Sequence, residues 1–181
     1  MPEDLFGLPT HILLLHIVVV LLPISAAATI VLVVSSRFRH RWGLATVLAT
    51  FLVTVFVPLT SQAGEALAER LPEDATIARH ADIGNQLVIW TAVFGLSLFA
   101  VVAIDLLRRA SADPRELTSA ETWAMRHVPE RWRTGAPGWT AMALHLARFL
   151  ALATAIGTTV MVILAGHTGA RAVWSNYPNL K

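Results

Sequence analysis

The sequence predicts an all-α integral membrane protein, a single four-helix bundle with both termini on the outer side of the membrane. Hydrophobic residues make up 55% of the 181 residues and charged residues only 14%, against about 25% charged in an ordinary globular chain. Four apolar stretches are long enough to cross a bilayer, and basic residues cluster in two of the segments between them. A nucleic-acid-binding function is excluded, because the net charge is only +2 and the arginines flank apolar stretches.

The first two spans cover about residues 12–34 and 43–59. At a rise of ~1.5 Å per residue the first reaches about 34 Å, enough for a hydrocarbon core of ~30 Å. It is read as a retained helix and not a signal peptide, because Glu3 and Asp4 stand where a signal peptide has basic residues and the apolar run continues past the alanines at 26–28.

The third and fourth spans cover about residues 84–107 and 139–165. The third helix is expected to begin outside the bilayer near Asp74, which follows Pro72 and supplies an N-cap. The fourth follows the breaker at 135–138 and is expected to close at Gly166 and Gly169. Residues 1–181 then form one membrane domain.

The basic residues predict the orientation. Two loops, 35–42 and 108–138, hold nine of the 14 basic residues: Arg37, Arg39, Arg41, Arg108, Arg109, Arg115, Arg126, Arg131 and Arg133. By the positive-inside rule both loops are cytoplasmic, which predicts a multi-pass membrane protein with both termini outside. The longer loop is interpreted as a solvated or surface-lying connector, with an interfacial helix over about 117–127 as the alternative.

Four histidines are predicted to cluster at the outer end of the bundle. His11, His16, His80 and His167 come from three helices and lie near one interface, where hydrocarbon penalises polar groups. Neutral imidazole is a ligand for zinc, copper and haem iron, and bundles build such sites from facing helices. We therefore predict all four as cofactor-binding residues.

A metal ion in this cluster would use His16, His80 and His167, with Glu65 and Asp82 as outer carboxylates. His16 is preferred to His11 because five residues separate them, about 140° around a helix. The alternative is that each imidazole only hydrogen-bonds headgroups, water or carbonyls. Zero cysteines exclude thiolate sites, and no His-Glu-x-x-His pattern or nucleophilic triad is present.

At the inner end, Asp105 and Arg148 are expected to pair. Each lies inside a predicted span, where a solitary charge is costly, and antiparallel neighbouring helices would bring the two to similar depths.

Several short motifs resemble those of the small bacterial membrane family catalogued as domain of unknown function 2231. They are the run Leu8-Pro9-Thr10-His11 with His16, the pair His80 and Gly84, and the terminal Gly166-His167-Thr168-Gly169-Ala170. The resemblance covers about residues 5–174. Thr10 stands where the family commonly has proline, and Ala170 replaces a second glycine. The resemblance implies a four-span bundle in which His11, His16, His80 and His167 belong together, in the bacterial cytoplasmic (inner) membrane, and it implies no established activity.

The leading functional hypothesis is a redox subunit that binds one b-type haem, or a copper or zinc ion, near the outer face. The alternative is a non-catalytic accessory or assembly subunit of a larger respiratory or transport complex in the membrane, or a homo-oligomer, in which the histidines are interface polar groups. A transporter ranks third, because four spans without an internal repeat would have to oligomerise to form a pathway.

Overall fold

The structure, a computed structural model, describes residues 4–5, 8–72, 74–133, 135 and 137–174. Its elements in chain order are the paired strands β1 (Asp4–Leu5) and β2 (Leu8–Pro9), α1 (Thr10–Val34), α2 (Ser36–Ala68), α3 (Ala75–Ala112), a 3-10 turn (Pro114–Glu116), α4 (Ser119–Met125), α5 (Glu130–Arg133) and α6 (Thr140–Trp174). The four long helices α1, α2, α3 and α6 form the bundle.

All four long helices are apolar and long enough to cross a membrane. Their outward faces carry exposed apolar side chains such as Leu96, Met142 and Phe149, which suit contact with lipid. The prediction of an all-α membrane protein with four membrane-spanning helices is confirmed, and these helices imply contact with the lipid bilayer.

The junction between the first two helices is tighter than predicted. The segment 35–42 was expected to be a loop, whereas α2 begins at Ser36 and leaves only Ser35 outside a helix. The Ser35 hydroxyl accepts a hydrogen bond from the Phe38 amide at 3.2 Å, so this single residue caps α2. The arginines of this segment therefore project from a helix, where their directions are fixed.

The fourth long helix continues past its predicted end. α6 runs through Gly166 and Gly169 to Trp174 instead of closing near residue 165. A Cβ added at Gly169 would lie 3.1 Å from Cε1 of His80. Gly169 thus serves close approach to a neighbouring ring within a helix, and it does not end the helix.

The core lies along the α3–α6 contact, which is the most extensive in the bundle. Phe94 of α3 is fully buried against Ala155 of α6, so a large side chain meets a small one. The hydroxyl oxygens of Ser97 and Thr154 lie 3.0 Å apart across the same pair of helices. Close packing and interhelical hydrogen bonds of this kind hold membrane helices together, because lipid supplies no hydrophobic drive between them.

Asp105 is the centre of a buried charge network at one end of the bundle. Its Oδ1 lies 2.8 Å from Nε of Arg39 and 4.0 Å from Nη2 of Arg148, and its Oδ2 lies 3.2 Å from Nε of Arg109. The expected Asp105–Arg148 pair is present only as the longest of these contacts. Arg39 is the main partner because it belongs to α2, where it is 4% exposed and also donates to the Leu32 carbonyl at 2.7 Å.

The connector between α3 and α6 packs onto the bundle through α4, a helix that lies within the range 117–127 given for the alternative. Thr118 and Glu121 form a capping box at the start of α4, and Met125 is buried against Leu106. Glu121 is buried and accepts a hydrogen bond from Nη2 of Arg109. Burial raises the pKa of Glu121, but hydrogen bonds from Arg109 and Thr118 outweigh it and leave the pKa below its ordinary value. We call this end of the bundle, with Ser35 and the connector, the basic end.

Candidate functional site

The opposite end brings two of the four predicted histidines together. His11 lies in the first turn of α1 and His80 in the second turn of α3. Their ring centroids are 6.2 Å apart, and the ring planes are nearly perpendicular at 86°. We call this pair the histidine pair and this end of the bundle the histidine end.

Backbone carbonyls fix the tautomer of both rings. Nδ1 of His11 donates to the Thr60 carbonyl at 2.8 Å, and Nδ1 of His80 donates to the Ala165 carbonyl at 3.1 Å. Because a carbonyl oxygen only accepts, each Nδ1 carries a proton and each neutral ring keeps its lone pair on Nε2. A ring held by its Nδ1–H with Nε2 left as the donor atom is the usual arrangement of a ligating histidine.

Two glycines make room for the histidine pair. A Cβ added at Gly64 would lie 2.8 Å from Nδ1 and 2.9 Å from Cε1 of His11, closer than a side chain tolerates. Gly169 faces His80 in the same way, with its added Cβ 3.1 Å from Cε1 and 3.3 Å from Nδ1. At these two glycines the backbones of α2 and α6 come close to the rings, and the Thr168 hydroxyl of α6 also lies 3.3 Å from Nδ1 of His80.

A cavity of about 350 Å³ adjoins the histidine pair and is lined by all four long helices. Its walls are largely apolar, with Leu15, Leu67 and Ile77 among them. The polar side chains lining it are His11, Ser61, Glu65 and His80. Ser61 donates to Asn85 at 2.7 Å, and Asn85 donates to Glu65 at 3.3 Å, so the carboxylate is held beside the cavity. This volume is within the range of small-molecule and cofactor sites.

The other predicted ligands lie elsewhere. His16 is exposed, and its Nδ1 donates to the Ile12 carbonyl of its own helix at 2.6 Å. His167 is exposed and lines a separate cavity with Arg79 and Arg171, and Asp82 is exposed outside the cavity at the histidine pair.

The structure does not bring His16, His80, His167, Glu65 and Asp82 together at one point, and the described part of the chain holds no group of three or more His, Cys, Asp or Glu side chains that could bind a metal ion. It places His11, and not the preferred His16, beside His80. Because α1 begins at Thr10, His11 is in a regular turn that faces the bundle, and His16 is turned about 140° away.

The buried face of α1 identifies His11, and that face is known from the structure. Counting back along α1 from the buried Ser25, Leu22 and Val18 in helical steps reaches position 11 and misses position 16. Gly64, whose backbone receives the His11 ring, had no sequence signal either, because its role depends on how α2 packs against α1.

Replacing Gly64 with Ala should displace the His11 ring and break its hydrogen bond to Thr60, because the added methyl group would lie 2.8 Å from Nδ1. Nitrogen NMR of labelled histidine should show the loss of one Nδ1–H tautomer. Gly95→Ala is the matched control: its Cβ would meet only Thr54 Oγ1, at an ordinary 3.5 Å. An unchanged spectrum in the Gly64 variant would contradict this description of the site.

Comparison with known proteins gives one match. The model of a family described as predicted membrane protein (DUF2231) matches residues 7–177, nearly the whole chain. No curated protein and no solved structure matches.

Proposed function

We propose that this chain, which belongs to the DUF2231 family of predicted membrane proteins, is a redox subunit. It holds one b-type haem between His11 and His80 at the outer end of the bundle. The observation that carries the proposal is the histidine pair itself, two imidazoles on different helices with Nδ1 occupied and Nε2 left as the donor atom.

The number of ligands favours haem among the cofactors expected from the sequence. Structural zinc takes four protein ligands and catalytic zinc three, whereas haem iron is held by one or two axial side chains. If both rings held one iron, each would do so through Nε2, the nitrogen that the carbonyl contacts leave free, and the 6.2 Å between the ring centroids brings them close enough to share one group.

The surrounding residues fit an apolar macrocycle. The cavity beside the pair is largely apolar, and Gly64 and Gly169 leave room for the two rings. The carbonyls of Thr60 and Ala165 orient the rings and raise the basicity of Nε2. A bound haem would supply reversible one-electron transfer, while this chain positions its ligands and limits access of water.

Purification in mild detergent from cells supplied with haem tests the proposal. We expect a coloured protein with about one haem and one iron per chain, and the same stoichiometry when protein purified without haem is titrated with ferric haem. A protein that stays colourless and takes up no haem would contradict the proposal. Co-purification of such a protein with a stable membrane partner would favour the accessory or assembly role.

We also propose that the basic end faces the cytoplasm and the histidine end the outside, because the arginines of both predicted inner loops lie at the basic end. Reporter fusions at Arg39 and at Arg126 should both report a cytoplasmic location. An outer location for either fusion would contradict the orientation, and it would place the histidine pair on the cytoplasmic side.

A further inference from the structure

A second cavity lies at the basic end. It has a volume of about 600 Å³ and is lined by Arg37, His40, Arg41 and Trp42 of α2, Arg109 of α3 and Thr118 of the connector. We call it the basic pocket. Its walls come from the tight α1–α2 junction and from the connector between α3 and α6. The sequence predicted both segments as loops.

The basic pocket carries an excess of positive charge. Beneath it, the three guanidinium groups of Arg39, Arg109 and Arg148 share the two buried carboxylates of Asp105 and Glu121. At its rim, Arg37 and Arg41 are exposed. The lining includes one carboxylate, that of Glu116, which is exposed. The arginines that line the pocket outnumber it, so the net charge of the pocket stays positive. An anionic group would relieve this imbalance.

Within the part of the chain that the structure describes, Arg37 has no carboxylate partner within 4.0 Å. Arg41 lies over the Trp42 ring at 6.0 Å from its centroid, so its charge is not neutralised by that contact. Both side chains can therefore bind an added anion without giving up an ion pair.

A separate apolar groove of about 210 Å³ lies about one helical turn farther along α2 and α3, toward the middle of the bundle. It is lined by Leu44 and Val47 of α2, Val102 and Leu106 of α3, and Met125 and Val128 at the connector. Leu44 follows His40 by four residues and Arg41 by three, so it lies on the same face of α2, one turn farther into the membrane. Leu106 precedes Arg109 by three residues on α3 in the same way.

We propose that the basic pocket and the apolar groove together bind one anionic phospholipid, with its phosphate among the arginines and an acyl chain in the groove. Position, charge and shape agree. Trp42 is half-exposed at this level, where tryptophans mark the headgroup region. Basic pockets between membrane helices bind lipid phosphates, and the apolar groove distinguishes a lipid from a free phosphate, which has no apolar part.

Native mass spectrometry of the detergent-solubilised protein tests this after incubation with equal amounts of phosphatidylglycerol and phosphatidylcholine. We expect one phosphatidylglycerol to be retained in preference to phosphatidylcholine. The double variant Arg37→Gln, Arg41→Gln should bind it about tenfold or more weakly. Arg115→Gln with Arg126→Gln makes the same change of charge at the same end, outside the pocket, and should bind as wild type does.

The source of the phosphate is tested separately. Val47→Trp fills the groove and should weaken phosphatidylglycerol binding while the arginines stay in place. Inorganic phosphate at millimolar concentration should not displace the lipid. Displacement by inorganic phosphate, equal retention of the two lipids, or equal losses in the two arginine double variants would each overturn the proposal. Circular dichroism of every variant shows that a loss of lipid does not reflect unfolding.

Discussion

Replacing Asp105 with Ala is expected to destabilise the bundle by about 3–5 kcal/mol, the cost of removing one partner from a buried ion pair. The variant leaves Arg39, which is 4% exposed, without its 2.8 Å carboxylate contact. It also removes the carboxylate that Arg39 and Arg148 share, which leaves the two like charges near each other. Thermal unfolding in detergent, followed by circular dichroism, measures the effect.

The double variant Arg39→Met, Asp105→Leu separates charge from packing. Replacing both members of a buried pair by apolar residues of similar size is often neutral or stabilising. We therefore expect the double variant to unfold at a higher temperature than Asp105→Ala. If Asp105→Ala unfolds at the same temperature as wild type, the charge network around Asp105 does not stabilise the fold.

Replacing either His11 or His80 with Ala should remove the proposed cofactor, because each ring supplies one of only two imidazoles at the site. We expect haem affinity to fall by about 100-fold or more in each variant. Removing a residue that only supports a metal ligand typically costs about 10- to 100-fold in affinity, and removing the ligand itself should cost at least as much. Titration with ferric haem, followed by absorption, measures the change.

His16→Ala and His167→Ala are the matched controls. Both remove an exposed imidazole from the same end of the bundle, outside the cavity at the histidine pair. Each should retain haem affinity within about twofold of wild type, because neither side chain contacts the pair. A loss in these controls equal to that in the His11 and His80 variants would show that the histidines do not act as a defined pair.

Composition, apolar length and charge were enough to predict the four spans and the bundle, because a bilayer imposes the same requirement on every spanning helix. Asp74 was identified as the N-cap of α3, and its carboxylate does accept a hydrogen bond from the Thr76 amide at 2.6 Å. A helix cap depends on residues that are close together in the chain, so it can be predicted from the sequence.

The sequence could not predict which side chains meet between helices. Arg39 was assigned to a loop, and only the cap at Ser35 shows that it belongs to a helix and points at Asp105. His16 was preferred to His11 from angular spacing alone, whereas the choice depends on which face of α1 is buried. Gly169 suggested a helix end in the sequence, whereas in the structure it lies inside α6 and allows a close approach to His80.

The spin state of ferric haem in the purified protein shows whether His11 and His80 both hold the iron, because it responds to the number of strong ligands bound. We expect a low-spin electron paramagnetic resonance signal, with the imidazoles of His11 and His80 as the two protein ligands. The signal should become high-spin, or haem should be lost, in His11→Ala and in His80→Ala. A high-spin signal in the wild type, or a low-spin signal that survives both substitutions, would show that His11 and His80 do not hold the iron together.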